Sequence, residues 1–227
     1  SREAKTTDLR SRGAGRALPG FFVICQAGLV TKLADVAAWG LLPLHLRDRG
    51  LSIATVGLLS AVYPLAWAAF QPATGWLSDR IGRSAPIAGG LAAQAAGLAG
   101  LAASDTVTGW IAAAVVLGAG TALVYPVLLA AAADLAPPEG RAKSVGLYRF
   151  WRDLGFVVGG VAGGPVADAL GIPASLVVLA AVSLVSMALF LTRSPTTRPG
   201  RETSPPPPAP PGRETSPPPP ARARNSP

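Results

Sequence analysis

Six long apolar runs dominate the chain: residues 21–46, 53–77, 85–103, 107–133, 142–167 and 172–192. About 20 helical residues cross a ~30 Å hydrocarbon core, and each run is close to that length or longer. A backbone in lipid must satisfy its own hydrogen bonds, so runs of this length are expected to be helices. The expected fold class is therefore all-α, an integral membrane six-helix bundle. Short polar turns separate the runs: 47–50, 78–84, 104–106, 134–140 and 168–171. The division expected from this pattern is a basic segment 1–20, a six-helix domain 21–193 and a disordered Pro-rich tail 194–227.

Composition sharpens this reading once the two ends are set aside. The whole chain is 50% hydrophobic and 14% charged over 227 residues. Residues 195–227 contain 13 of the 23 prolines and three hydrophobic residues, all Ala. The remaining middle is roughly 60% hydrophobic, against ~45–50% for a soluble domain, which excludes an ordinary soluble enzyme. The net charge of +8 would suggest nucleic acid on a soluble protein. Here it records topology instead. Fifteen basic residues fall in the N-terminal segment, in the second turn, just after the fourth turn (Arg141, Lys143) and from Arg193 into the C-terminal tail, whereas only Arg47 and Arg49 occupy the other three turns. The positive-inside rule then places both termini in the cytoplasm, in a multi-pass protein of the inner membrane. No nucleic-acid partner is expected.

Chemical motifs of enzymes are missing from the sequence. One cysteine, Cys25, and one histidine, His45, cannot build a disulfide or a metal cluster. His45 reads as a polar residue at a helix end. No phosphate loop, zinc motif or Ser/His/Asp set occurs, so no enzyme activity, cofactor or metal is expected.

Ionisable groups within the apolar runs are costly in lipid and usually face a cavity or each other. Lys32 and Asp35 are spaced i,i+3 and can pair on one face of the first helix. In the fifth run, Arg149 and Asp153 are spaced i,i+4, which leaves Arg152 to face Asp35, an anionic substrate or lipid headgroups. Tyr63, Trp67 and Gln71 recur at i, i+4, i+8 on the second helix, as a substrate wall or as packing. Pro43, Pro64 and Pro126 bend their spans. Gly155, Gly159 and Gly163, with Gly160 and Gly164, have the spacing that lets helices approach closely.

The turn between the second and third runs is the most specific motif. GWLSDRIGR at 75–83 resembles the loop signature of the major facilitator superfamily, G-x-x-x-D-R-x-G-R, through Gly75, Asp79, Arg80, Gly82 and Arg83. Ser84 departs from the basic residue that usually follows. Asp134 and Arg141 look like the acid/base pair that partners this signature. GTALVYP at 120–126, GLYRFWRDLG at 146–155 and DVAAWGLLPL at 35–44 resemble the tenth, eleventh and seventh helices of some bacterial facilitators.

This resemblance implies the C-terminal half of a twelve-helix transporter, built as two inverted three-helix repeats. It implies secondary transport of a small molecule by alternating access, coupled to protons. The partners are then the substrate, protons, the bilayer and a second six-helix half. The first and fourth helices of such a half line the cavity. The pathway residues are Asp35, Lys32, Tyr63, Gln71, Tyr125, Arg152 and Asp153. Gly75, Asp79, Arg80, Gly82, Arg83, Asp134 and Arg141 form a conformational latch, with Asp79 accepting from a neighbouring helix N-terminus. A second reading is a non-transporting scaffold that docks partners through the tail, where GRETSPPPP occurs at 200–208 and again at 212–220. An inactive transporter fragment is the third.

The topology is testable in whole cells. In a Cys25→Ala background, Thr106→Cys reacts with a membrane-impermeant maleimide from outside, and Glu139→Cys reacts only after permeabilisation. The reverse pattern would invert the orientation.

Overall fold

The computed structural model describes residues 2–193, so the proline-rich repeats lie outside the described residues. Its elements are helices throughout: α1 (Arg2–Val36), a π-helical segment (Ala37–Leu41), α2 (Leu42–Asp48), α3 (Ile53–Ile81), α4 (Ser84–Ala103), α5 (Val107–Asp134), a 3₁₀ turn (Pro138–Gly140), α6 (Arg141–Leu170) and α7 (Ile172–Arg193). Six segments are long and apolar enough to cross a membrane: Pro19–Asp48, Ile53–Ile81, Ser84–Ala103, Val107–Asp134, Arg141–Leu170 and Ile172–Arg193. The chain is an integral membrane six-helix bundle.

The first span is not one uniform helix. Pro43 has no N–H, and its ring crowds the carbonyl four residues earlier, that of Trp39. The backbone widens there, and the Leu42 N–H reaches back five residues to the Ala37 carbonyl. Helix ends follow familiar chemistry. Ser52 accepts from the Thr55 N–H at the start of α3, and Thr106 accepts from the Gly109 N–H at the start of α5. Three junctions close on glycines with positive φ, Gly50, Gly82 and Gly171, a conformation that L side chains rarely adopt.

Apart from Gly82 and Arg83, the family-like signature is helical rather than a loop. Gly75, Asp79 and Arg80 lie in the last two turns of α3, and the turn itself begins only at Gly82. Between Pro72 and Gly82 only Gly75 disfavours the helix, and an isolated glycine costs about 1 kcal/mol without ending it.

Small residues set how closely the helices approach. A Cβ on Gly118 would lie 2.6 Å from the Tyr63 carbonyl oxygen on α3. A Cβ on Gly97 would lie 2.7 Å from the Leu117 nitrogen, and one on Gly120 2.7 Å from the Gln94 nitrogen, joining α4 to α5. On α6, Gly155 fits against the Leu29 carbonyl and Gly159 against Val36 of α1. The glycine pattern of the fifth run therefore divides. Gly155 and Gly159 pack, whereas Gly160, Gly163 and Gly164 face open space.

Two apolar clusters fill the bundle. One, toward the Gly50 end, includes Ala38, Leu42, Leu46, Leu98, Leu117 and Leu176. The other, toward the Gly82 end, includes Ile24, Ile87, Leu91, Leu128, Tyr148 and Phe190. The buried polar residues described next lie between them.

Gly118→Ala is expected to cost about 1–3 kcal/mol, because the methyl meets backbone that cannot yield. It lowers the melting temperature of the detergent-solubilised chain, while Gly160→Ala leaves it unchanged. Equal melting temperatures for the two variants would contradict this packing.

Candidate functional site

A belt of buried polar side chains crosses the middle of the bundle. It starts at Lys32 and Asp35, whose Nζ and Oδ2 are 2.5 Å apart on α1, with side chains 9% and 5% exposed. The i,i+3 spacing anticipated this pair. The other carboxylate oxygen, Oδ1, accepts from the Tyr63 hydroxyl of α3. Tyr63 also lies 3.2 Å from Thr121 Oγ1 on α5, and Gln94 Nε2 of α4 donates to that oxygen at 3.0 Å. Thr31 Oγ1 completes the chain, 2.9 Å from the Ala27 carbonyl and 3.5 Å from Gln94 Oε1.

Proton counting orders this network. A phenol has one proton, and Tyr63 gives it to the carboxylate. Thr121 then donates to the phenol oxygen, and Gln94 donates to Thr121. The donors of Lys32, Tyr63, Thr121 and Gln94 thus line up toward Asp35, while the Thr31 hydroxyl gives its proton to the Ala27 carbonyl, and four helices contribute to holding one buried carboxylate.

A second group surrounds Tyr125 of α5. Arg152 Nη1 donates to the Tyr125 hydroxyl at 2.8 Å, and its Nε and Nη2 reach Asp153 Oδ1 at 2.8 and 2.7 Å. The Arg152 guanidinium carbon lies 5.0 Å and Lys32 Nζ 5.4 Å from the Tyr125 ring centroid. Lys32 Nζ is also 4.7 Å from the Phe156 ring. Trp67 meets Tyr125 edge-on at 5.6 Å, and its buried Nε1 has no hydrogen-bond partner. Trp39, on the π-helical segment, packs edge-on against Tyr63.

Several expected partnerships differ. Asp153 pairs with its neighbour Arg152, while Arg149 is exposed and does not reach it. The i,i+4 rule fails here because Arg152 turns toward Tyr125 and carries its long side chain across Asp153. Asp134 pairs with Arg83, Nε to Oδ2 at 2.7 Å, rather than with Arg141, which is exposed. The 3₁₀ turn at Pro138–Gly140 separates Asp134 from Arg141. Asp79 does not cap α4, which begins at Ser84 with Arg83 as its N-cap and no side-chain cap. It is exposed, as is Arg80, whose guanidinium stacks 3.9 Å over the Trp76 ring. Gly75 is half-buried with open space where a side chain would be. Gln71 is half-buried and makes no side-chain hydrogen bond to another described residue. His45 stands in the last turn of α2, as expected, and is buried there, edge-on to Trp110.

Sequence reasoning missed Thr31, Gln94, Thr121 and Phe156. Gln94 had a usable signal, as the single amide in a helix otherwise made of Ala, Gly, Leu, Ile, Pro and one Ser. Also missed was the ion pair between Arg49 and Asp105, which ties two turns together at the Gly50 end.

A sequence profile of the Major Facilitator Superfamily matches residues 22–224. The chain belongs to this superfamily. It is 32% identical over 143 residues to the inner membrane transport protein YajR of Escherichia coli (strain K12), covering 63% of this chain and 31% of that protein. It is 28% identical over 127 residues to the quinolone resistance protein NorA of Staphylococcus aureus (strain Mu50 / ATCC 700699), covering 56% of this chain and 33% of that protein. Among solved structures, the peptide transporter POT in complex with sulfate superimposes with a TM-score of 0.70 at 16% identity, over 76% of this chain and 37% of that one. The chain thus spans about a third of the length of the relatives it matches.

The buried pair sets a stability expectation. Lys32→Met or Asp35→Leu alone strands one charge and costs about 3–5 kcal/mol, whereas the double variant costs less than either. A double-mutant cycle on melting in detergent measures this. Additive losses would show that the two charges do not interact.

Proposed function

We propose that the chain is the six-helix half of a secondary transporter that moves a small molecule by alternating access, with protons exchanged at Asp35. The observation that carries this is the mid-bundle carboxylate itself. Asp35 is held by Lys32 and Tyr63 between two apolar clusters, so taking up a proton removes its ion pair and unbalances four helices at once. Its relatives include a protein named for inner membrane transport and one named for quinolone resistance, which supports a transport role.

In this cycle Lys32, Tyr63, Gln71, Tyr125, Arg152 and Asp153 line the pathway, and Arg152 with Asp153 sets its charge. Arg83 and Asp134 latch the cytoplasmic ends of α3, α4 and α5. Asp79 and Arg80, exposed beside them, are free to meet a second six-helix half. Inverted repeats are supported by the packing. Exchanging first with fourth, second with fifth and third with sixth spans turns the α1–α6 contact into the α5–α3 contact and leaves α4–α7 in place. The inner membrane, with cytoplasmic termini, is where such a chain works.

The test uses proteoliposomes loaded with a pH-sensitive dye and a compound library added outside. A substrate evokes a pH change that Asp35→Asn abolishes and Asp79→Ala reduces at least tenfold. The signal is weak for the chain alone and rises when a second six-helix half is reconstituted with it. Strong uptake by a demonstrated monomer overturns the half-transporter reading, and uptake with no pH change overturns proton coupling. A scaffold, in contrast, would show no uptake and would keep its partner binding in both variants.

A further inference from the structure

The hydrogen-bond inventory around Tyr125 is unbalanced, and the imbalance has a sign. On the donor side, the Lys32 ammonium carries three protons and gives one to Asp35. Arg152 carries five N–H groups and uses three, on Asp153 and Tyr125. The Tyr125 hydroxyl accepts from Arg152 and retains its own proton. Trp67 Nε1 is buried with no acceptor at all. On the acceptor side, both oxygens of Asp35 are engaged, by Lys32 and by Tyr63. Asp153 engages one oxygen, and its side chain is 51% exposed. Unused donors therefore outnumber unused acceptors, and a buried donor without a partner is costly.

The walls around these donors are aromatic. Tyr125 lies against both Lys32 and Arg152, Phe156 lies against Lys32, and Trp67 packs edge-on against Tyr125; Phe156 is 44% exposed. Charge points the same way as the hydrogen bonds. Lys32, Arg152, Asp35 and Asp153 sum to zero, and protonation of Asp35 leaves the site with one positive charge and a released ammonium.

We infer that this site binds an organic anion, an apolar or aromatic body bearing a carboxylate-like group. The anion takes the protons of Trp67 Nε1, Lys32 and the remaining Arg152 N–H groups, and its body lies against Phe156 and Tyr125. Binding is tightest when Asp35 is neutral, so anion and proton enter together. This rests on reading the polar belt as the substrate pathway.

The experiment is equilibrium binding of radiolabelled 2-naphthoate and 2-naphthylmethylammonium to the purified 227-residue chain in nanodiscs. The two share a ring system and differ in the sign of the charged group. Naphthoate is expected to bind at least tenfold more tightly. Asp35→Asn, which mimics the neutral acid, strengthens naphthoate binding about fivefold. Adding Lys32→Gln to that variant removes both charges and weakens binding at least tenfold relative to Asp35→Asn alone. Trp67→Phe keeps the ring, deletes the N–H and weakens binding about threefold. Melting temperatures confirm that each variant is folded.

No naphthoate binding, equal or tighter binding of the ammonium, or no loss on removing Lys32 from Asp35→Asn overturns the inference. Binding needs no gradient and no turnover, so the two proposals fail separately. Selective naphthoate binding without proton movement removes the coupling and keeps the anion site. Proton-coupled movement of an organic cation keeps the coupling and removes the anion site.

Discussion

The ion pair between Lys32 and Asp35 is the constraint around which the bundle is organised. Two opposite charges in a hydrocarbon slab are tolerated only if they meet and if their remaining valences are met as well. The i,i+3 spacing on α1 accomplishes the first. The second needs other helices: Tyr63 from α3 supplies a proton to the carboxylate, Thr121 from α5 holds Tyr63, and Gln94 from α4 holds Thr121. The rings of Phe156 and Tyr125 lie beside the ammonium. The surrounding apolar layers strengthen each of these contacts, because a low dielectric magnifies electrostatic terms of both signs.

Such a network tolerates little error in helix separation, and the glycines supply that precision. Gly118 admits the Tyr63 backbone, which brings the phenol within reach of both α1 and α5. Gly90 and Gly120 bring α4 onto α5 beside Gln94 and Thr121. Gly155 admits the Leu29 carbonyl and the Lys32 Cβ, which brings α6 close enough for Phe156 to lie beside the ammonium. Packing and site are therefore one feature of the chain. A methyl group on any of these glycines would move a donor as well as a helix.

Much of this architecture was legible in the sequence, for reasons that differ from residue to residue. The six spans were visible because an apolar run of about 20 residues has few alternatives in water or lipid. The Lys32–Asp35 pair was visible because helical geometry fixes an i,i+3 neighbour without tertiary information. Tyr63 was singled out for its face, but its bond to Asp35 spans 28 residues and two helices, which no local rule contains. Local rules also misled. Arg149 and Asp153 have the right spacing, yet Arg149 lies on the exposed side and the adjacent Arg152 takes the carboxylate. Asp134 has Arg141 near in sequence, yet the end of α5 faces the turn after α3, where Arg83 stands closer.

The two ends of the bundle are held by different means, and this bears on how it could move. At the Gly82 end, Arg83 and Asp134 join the α3–α4 turn to α5 through side chains that are 24% and 50% exposed. At the Gly50 end, Arg49 and Asp105 join the α2–α3 and α4–α5 turns, also in the open. Exposed pairs of this kind contribute little to stability, about 0–1 kcal/mol. The buried pair contributes its interaction in a dry interior and loses it entirely when one partner is neutralised. In the proposed cycle, a bundle paired in its dry interior and, at both ends, in the open keeps its internal packing while either end rearranges. In that proposed cycle its centre responds to the charge on Asp35. Three of the four helices that hold this carboxylate, α3, α4 and α5, are the ones joined by Arg83 and Asp134, so a change at the centre has a direct mechanical route to the end that carries the family signature.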